Sequence, residues 1–228
     1  MNVILIAGLW LDGTAWEHVL PGLSARGHQP VPLTLPGQGD GAQAATLADQ
    51  QATVVAAVDE ADEPVCVVGH SAACGLAWLA ADARPDKVAT VALVGGMPVT
   101  DGDAYADFFE VTDGEVPFPG WEPFAGPDSD DLSEPTKAEV AAGAIPVPEG
   151  VVKGVVTYAA DRRYAVPVVM VCPEFTPDQA RGWLAAGDIP ELAKVERVDY
   201  VDLDSGHWPM FSQPEALAGV LADIAEAE

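Results

Sequence analysis

Positive charge is scarce in this chain. Four lysines and six arginines stand against 36 acidic residues, for a formal net charge of −26 over 228 residues. A surface of that sign repels phosphate backbones and anionic lipid, which argues against nucleic acid and membrane as partners. The same excess reads either as a solubilising surface or as adaptation to salt. Cysteine is nearly absent: Cys66, Cys74 and Cys172 make an odd count, with no CxxC pair and no Cys/His metal spacing. Each lies in or beside an expected core element, so buried free thiols are the expectation, and no metal or other cofactor is implied. No apolar run approaches the roughly 20 residues that span a bilayer. The N-terminus enters an apolar stretch at once, Val3 to Ala7, without a basic leader or cleavage site, so a cytoplasmic location is expected.

What the chain does have is apolar residues, 49% of the total, in short runs separated by helical patterns. The length suits one domain, residues 1–228, with a full core. Strand-like runs are expected at Val3–Ala7, Gln29–Leu35 (weakened by prolines), Val65–Gly69, Val88–Val94, Val166–Cys172 and Val195–Leu203, the last polar enough for an edge. Between them lie helical patterns: Thr14 to Arg26, a helix opened by the capping box of Thr46 and Asp49, and a last helix opening at Ser212 and Pro214. Strand–helix alternation predicts an α/β fold: a mostly parallel, doubly wound sheet of about six strands with helices on both faces.

One segment breaks the alternation. Residues 97–165 are rich in proline and acid and carry Phe108, Phe109, Phe118, Trp121 and Phe124. A long excursion between core strands is usually functional, and a solvated loop gains nothing from five aromatics, so an inserted lid is expected here.

Chemistry concentrates at Gly69-His70-Ser71-Ala72-Ala73. An apolar strand meets a turn of small residues and then a helix, the context in which a G-x-S-x-G-like pattern exposes a nucleophilic serine. Alanine stands at the last position of that pattern. A serine there can also simply cap a helix. The rest of the chain favours the nucleophile. Ligands in open α/β sheets bind beyond the carboxyl ends of strands. His207 lies in the loop after the last expected strand, where a base could meet Ser71. Of the other histidines, His18 lies in a helix, His28 in a link, and His70 points away from Ser71 by its neighbouring position. The base needs a carboxylate to fix its tautomer. Glu174, immediately past the strand ending at Cys172, is the best placed. Asp178 is its rival, although Thr176-Pro177-Asp178-Gln179 reads as a helix start that gives Asp178 a structural task. Asp204, Asp101 and Asp103 remain further alternatives. The expected oxyanion donors are the amides of Leu9 and Ala72.

Together these residues resemble the α/β-hydrolase fold superfamily over essentially the whole chain. The likeness is closest to small esterases of the plant methylesterase and hydroxynitrile lyase type and to uncharacterised actinobacterial relatives. Ala7–Gly13 stands where that family has its His-Gly oxyanion loop, Leu35-Pro36-Gly37-Gln38-Gly39 is similar to its Leu-Pro-Gly loop, and Gly206-His207-Trp208-Pro209 matches its histidine loop. The chain departs from the pattern at Ala7, where the family has His, and at Phe175, where it has Asp. The lyase branch carries Thr at the position of Gly8 and Lys after the histidine, and a cyanohydrin site needs that cation to hold cyanide. Gly8 and Trp208 stand there instead.

The expected function is a serine hydrolase, a carboxylesterase or lactonase, that cleaves a small apolar ester through an acyl-enzyme, with Trp10, Met97, Trp121 and Trp208 lining the pocket. The expected partner is that small ester or lactone, with a homodimer left open. The alternatives are a slow or non-catalytic ligand-binding protein on the same scaffold, and a lyase using the same residues as acid and base.

Overall fold

The computed structural model describes residues 1–159 and 161–227. Its centre is a six-stranded sheet of β1 (Asn2–Ile6), β2 (Gln29–Leu33), β3 (Val65–His70) and β4 (Val88–Val94), together with two later strands, β7 (Val168–Cys172) and β8 (Val198–Asp202). Every pairing in it is parallel, in the order β2-β1-β3-β4-β7-β8. Between β4 and β7 the chain adds β5 (Glu115–Val116) and β6 (Val147–Pro148), a two-stranded antiparallel ribbon. The helices are α1 (Leu20–Ala25), α2 (Leu47–Glu60), α3 (Ala73–Ala83), α4 (Glu134–Gly143), α5 (Glu149–Val152), α6 (Pro177–Ala186), α7 (Pro209–Ser212) and α8 (Pro214–Glu226). Among the described residues no helix is long and apolar enough to cross a membrane.

The apolar runs become central strands because both faces of the sheet are covered. Along β3, Val65 and Val67 join one core while Cys66 and Val68 join the other. Strand β4 alternates likewise, with Val91 and Leu93 on one face and Ala92 and Val94 on the opposite one. The first core is closed by α2 and α3 through Val54, Val58, Leu76 and Trp78; the second is closed by α1 and α8 through Leu23, Leu217 and Leu221. Each fully buried Val or Leu contributes about 1.5–3 kcal/mol. The two edge strands are the polar and proline-bearing ones. Pro30 and Pro32 in β2 lack N–H groups, and on an edge those positions face away from the partner strand.

Local signals place several boundaries. Thr46 Oγ1 accepts the Asp49 amide at 3.3 Å while the Asp49 carboxylate accepts the Thr46 amide at 2.9 Å, which opens α2. Thr176 and Gln179 do the same for α6. The helix expected from Thr14 to Arg26 is in fact two pieces, a 3-10 turn at Gly13–Trp16 capped by Asp12, then α1. Pro21 explains the break. It has no N–H for the carbonyl of Glu17, and its ring would strike that carbonyl in a continuous helix. Strands β2, β7 and β8 are also shorter than the apolar runs that signal them.

The order of strands creates the site. The chain leaves β1 toward β2 on one side, and β3 leads to β4 on the other, so the crevice between the ends of β1 and β3 is a switch point. Ile6 pairs with Gly69, which brings the loop starting at Ala7 level with Ser71.

Candidate active site

Ser71 follows β3 with φ of +55°, a left-handed conformation rare outside glycine. The turn is held by hydrogen bonds from the Ser71 amide to the Val94 carbonyl (2.9 Å) and from the Cys74 amide to the Ser71 carbonyl (3.0 Å). Its tightness explains the small residues. A Cβ on Gly69 would lie 2.4 Å from the Ala73 carbonyl oxygen, and one on Gly96 would lie 2.4 Å from that of Ser71. A Cβ on Gly8 would come within 2.9 Å of the Ser71 Cβ.

The structure brings Ser71, His207 and Glu174 together. His207 Nε2 is 2.9 Å from Ser71 Oγ, and His207 Nδ1 is 2.7 Å from Glu174 Oε1. With its proton on Nδ1, the imidazole donates to Glu174 and accepts from the serine hydroxyl. Both the histidine and the glutamate side chains are only 15% exposed. None of the other candidate acids makes this contact. Asp178 pairs with Arg181 on the surface, Asp101 accepts the Tyr158 amide, and Asp204 and Asp103 are exposed.

The loop that carries His207 is clamped by the excursion. The His207 amide donates to the Asp128 carbonyl at 2.7 Å, and the Gly206 amide donates to the Asp131 carboxylate at 2.6 Å. A Cβ on Gly206 would lie 2.3 Å from Asp131 Oδ1, so the approach requires glycine. Gly95 turns with φ of +60° beside the same histidine, where a Cβ would lie 3.2 Å from Nδ1.

His70 does not turn away from the site. Its Nδ1 accepts the Gly8 amide at 3.3 Å, and its Nε2–H donates to the His207 carbonyl at 2.8 Å. One buried imidazole thus ties the loop after β1 to the loop after β8. Burial, with His207 nearby, pushes its pKa down to about 3, so it is neutral. This contact was hidden from the sequence. A doublet of glycines straight after a β-branched strand was the visible signal for Gly95 and Gly96.

Above Ser71 lies a cavity of about 250 Å³, lined by Leu9, Trp10, Phe108, Phe109, Phe124, Asp128 and Trp208 as well as the polar groups. The amides of Leu9 and Ala72 make no hydrogen bond among the described residues, and both residues line the cavity. Of the four residues expected to line a pocket, Trp10 and Trp208 line this cavity, and Met97 and Trp121 do not. Trp121 stands behind the wall, its ring edge-on to Trp208 at 5.0 Å and its indole N–H bonded to the Lys137 carbonyl. Met97 packs against the first core. Their places are taken by Phe109 and Phe124, which contact Trp10 with ring centroids 5.1 and 5.9 Å away. Among the described residues no three His, Cys, Asp or Glu side chains gather as metal ligands.

Comparison with known proteins agrees with this architecture. The chain is 24% identical to Methylesterase 7 of Arabidopsis thaliana over 255 residues, covering 98% of this chain and 95% of that protein. An extracellular alpha/beta-hydrolase from a Paenibacillus species, described as sharing structural and functional homology with tobacco Salicylic Acid Binding Protein 2, superposes with a TM-score of 0.81 at 16% identity over 100% of both chains. A methylesterase from Arabidopsis superposes with a TM-score of 0.77 at 17% identity over 99% of both. The model of the alpha/beta hydrolase family matches residues 3–220, and this chain belongs to that family.

Proposed function

We propose that the protein is a serine hydrolase, a carboxylesterase or lactonase, acting on a small ester with an apolar body. The observation that carries this reading is the continuous chain of short contacts from Ser71 Oγ through His207 to Glu174, at 2.9 and 2.7 Å. A serine hydroxyl attacks a carbonyl only when a base takes its proton, and the geometry suits that transfer. In the first step the Ser71 Oγ–carbonyl carbon bond forms while the hydroxyl proton passes to His207 Nε2. Glu174 stabilises the resulting imidazolium, and the amides of Leu9 and Ala72 hold the oxyanion. The imidazolium then protonates the departing alkoxide. Water attacks the acyl-enzyme with His207 again as base, which releases the acid and restores Ser71.

The excursion between β4 and β7 acts as a cap in this reading. It supplies Phe108, Phe109 and Phe124 to the pocket and clamps the histidine loop. The esterase names of the relatives favour an ester over an amide or epoxide. Gly8 and Trp208 leave no cation to hold a departing cyanide, which disfavours the lyase alternative.

A fluorophosphonate probe with peptide mapping tests the proposal. One equivalent of label on the peptide containing Ser71, absent in Ser71→Ala, is the expected result, together with a burst of p-nitrophenol from p-nitrophenyl butyrate. Labelling elsewhere, or neither burst nor turnover, would refute it and favour a binding protein.

A further inference from the structure

The cavity over Ser71 carries one charged side chain that the reaction above does not use. Asp128 is part of its wall, fixed there because its own carbonyl accepts the His207 amide at 2.7 Å. Its half-buried carboxylate makes no hydrogen bond or ion pair among the described residues. No lysine or arginine lines the cavity. Partial burial, reinforced by the charge of Glu174 and opposed by His207, holds this carboxyl above the usual range. An acid so placed gains from an opposite charge brought to it.

The remaining walls suit the same charge. Trp10, Phe109, Phe124 and Trp208 form a contiguous aromatic surface. Trp10 meets Phe109 edge-on at 5.1 Å, and Phe124 meets Trp208 at 5.1 Å with planes at 90°. Phe108, 69% exposed, lines the cavity as well. Ring faces carry partial negative charge and attract a cation, more strongly when it is desolvated. The net charge of −26 would steer cations toward the molecule from solution.

We propose that the cavity accepts esters bearing a quaternary or tertiary ammonium group, held between the Asp128 carboxylate and the aromatic wall while the carbonyl meets Ser71. Turnover of such an ester rests on the serine-hydrolase reading; binding of the cation does not.

The test compares butyrylcholine with its neutral isostere 3,3-dimethylbutyl butyrate, by pH-stat. In the wild type kcat/KM should favour the cation by about tenfold or more. The ratio should fall toward unity in Asp128→Asn and survive in Asp128→Glu. It should also survive in Glu63→Gln, which removes the same charge from an exposed position at the opposite end of the strands. Equal rates on the two esters in the wild type, or an equal loss of preference in Glu63→Gln, would overturn the proposal. A second arm reads binding without chemistry, by quenching of tryptophan emission with phenyltrimethylammonium in Ser71→Ala. Saturable quenching that Asp128→Asn weakens supports the site, and its absence at millimolar probe overturns it. Cation binding with no hydrolysis of either ester would sink the hydrolase reading and leave this one standing; equal hydrolysis of both would do the reverse.

Discussion

Replacing Glu174 by Gln is the sharpest single perturbation of the site. Gln keeps the shape of the side chain, and its Oε1 can still accept the His207 Nδ1–H that now meets Glu174 at 2.7 Å. The tautomer is therefore preserved, and the change isolates charge. In the proposed mechanism His207 takes the serine proton, which places opposite charges about 4 Å apart between centres in the wild type, worth about 4 kcal/mol at an effective dielectric of about 20. The pair is 15% exposed, so water screens part of that attraction. A loss of about 2–4 kcal/mol of transition-state stabilisation corresponds to a fall in kcat of roughly 30- to 1000-fold. Steady-state hydrolysis of p-nitrophenyl butyrate reads it directly, and circular dichroism confirms that the variant is folded. Asp178→Asn serves as the control, because the Asp178 side chain is 94% exposed and bonded to Arg181. A Glu174→Gln enzyme within about threefold of wild type, or an Asp178→Asn enzyme as impaired as it, would refute the reasoning.

Three further outcomes follow from buried groups. Gly69→Ala would force a Cβ to within 2.4 Å of the Ala73 carbonyl oxygen, main chain that cannot swing aside. Urea unfolding should show a loss of about 1–3 kcal/mol, and an unchanged midpoint would contradict the packing argument. His70 has its pKa lowered from 6.5 to about 3 in the folded chain. Between those values the unfolded chain binds a proton that the native state refuses, so stability falls as pH drops through the window, by about 1.4 kcal/mol per pH unit, and is level above it. His70→Gln should lose that component, and parallel pH dependences for the two proteins between pH 7 and 5 would be the contrary result. Finally, Cys66, Cys74 and Cys172 are buried, and burial pushes the Cys66 and Cys172 thiols up to about 12. A thiol reagent should find none of them in the native protein and all three in denaturant; rapid native labelling would place at least one at the surface.

The parts of the fold legible in the sequence are those fixed by local chemistry. Strand β4 spans Val88–Val94 as its β-branched run predicts, because a continuous apolar run buried on both faces has few other solutions. The caps at Thr46 and Thr176 are satisfied by residues three positions away and need no tertiary information. Glu174 and His207 could be placed because a parallel sheet delivers all its post-strand loops to one edge. The pocket wall resisted for the opposite reason. The excursion has no periodicity that says which aromatic faces inward. Tertiary packing decides that: Phe108, Phe109 and Phe124 line the cavity, Phe118 packs on Trp10 at 5.3 Å without lining it, and Trp121 becomes a second layer behind Trp208.

His70 shows where a sound local rule ends. Neighbouring residues on a strand point to opposite faces, so His70 and Ser71 ought to diverge. Ser71 lies past the last strand residue with φ of +55°, and that left-handed step cancels the alternation. The imidazole reaches Gly8 and His207 while the hydroxyl reaches His207 from the other direction. Trp10 repeats the pattern one loop away, with φ of +65°. Each such non-glycine residue costs about 1–3 kcal/mol and persists only where its surroundings over-determine it. Here they do. The Trp10 carbonyl accepts the Ile145 amide, and its indole N–H donates to the Val116 carbonyl, both from the excursion. Ser71 is bound on both sides by main-chain hydrogen bonds. The two strained residues directly adjoin Leu9 and Ala72, the residues whose amides are proposed to hold the oxyanion. Two of the three left-handed non-glycine residues among the described residues, Asp113 being the other, therefore sit where two loops would present N–H groups to one point, and the excursion that shapes the pocket is also what holds the first of those loops in place.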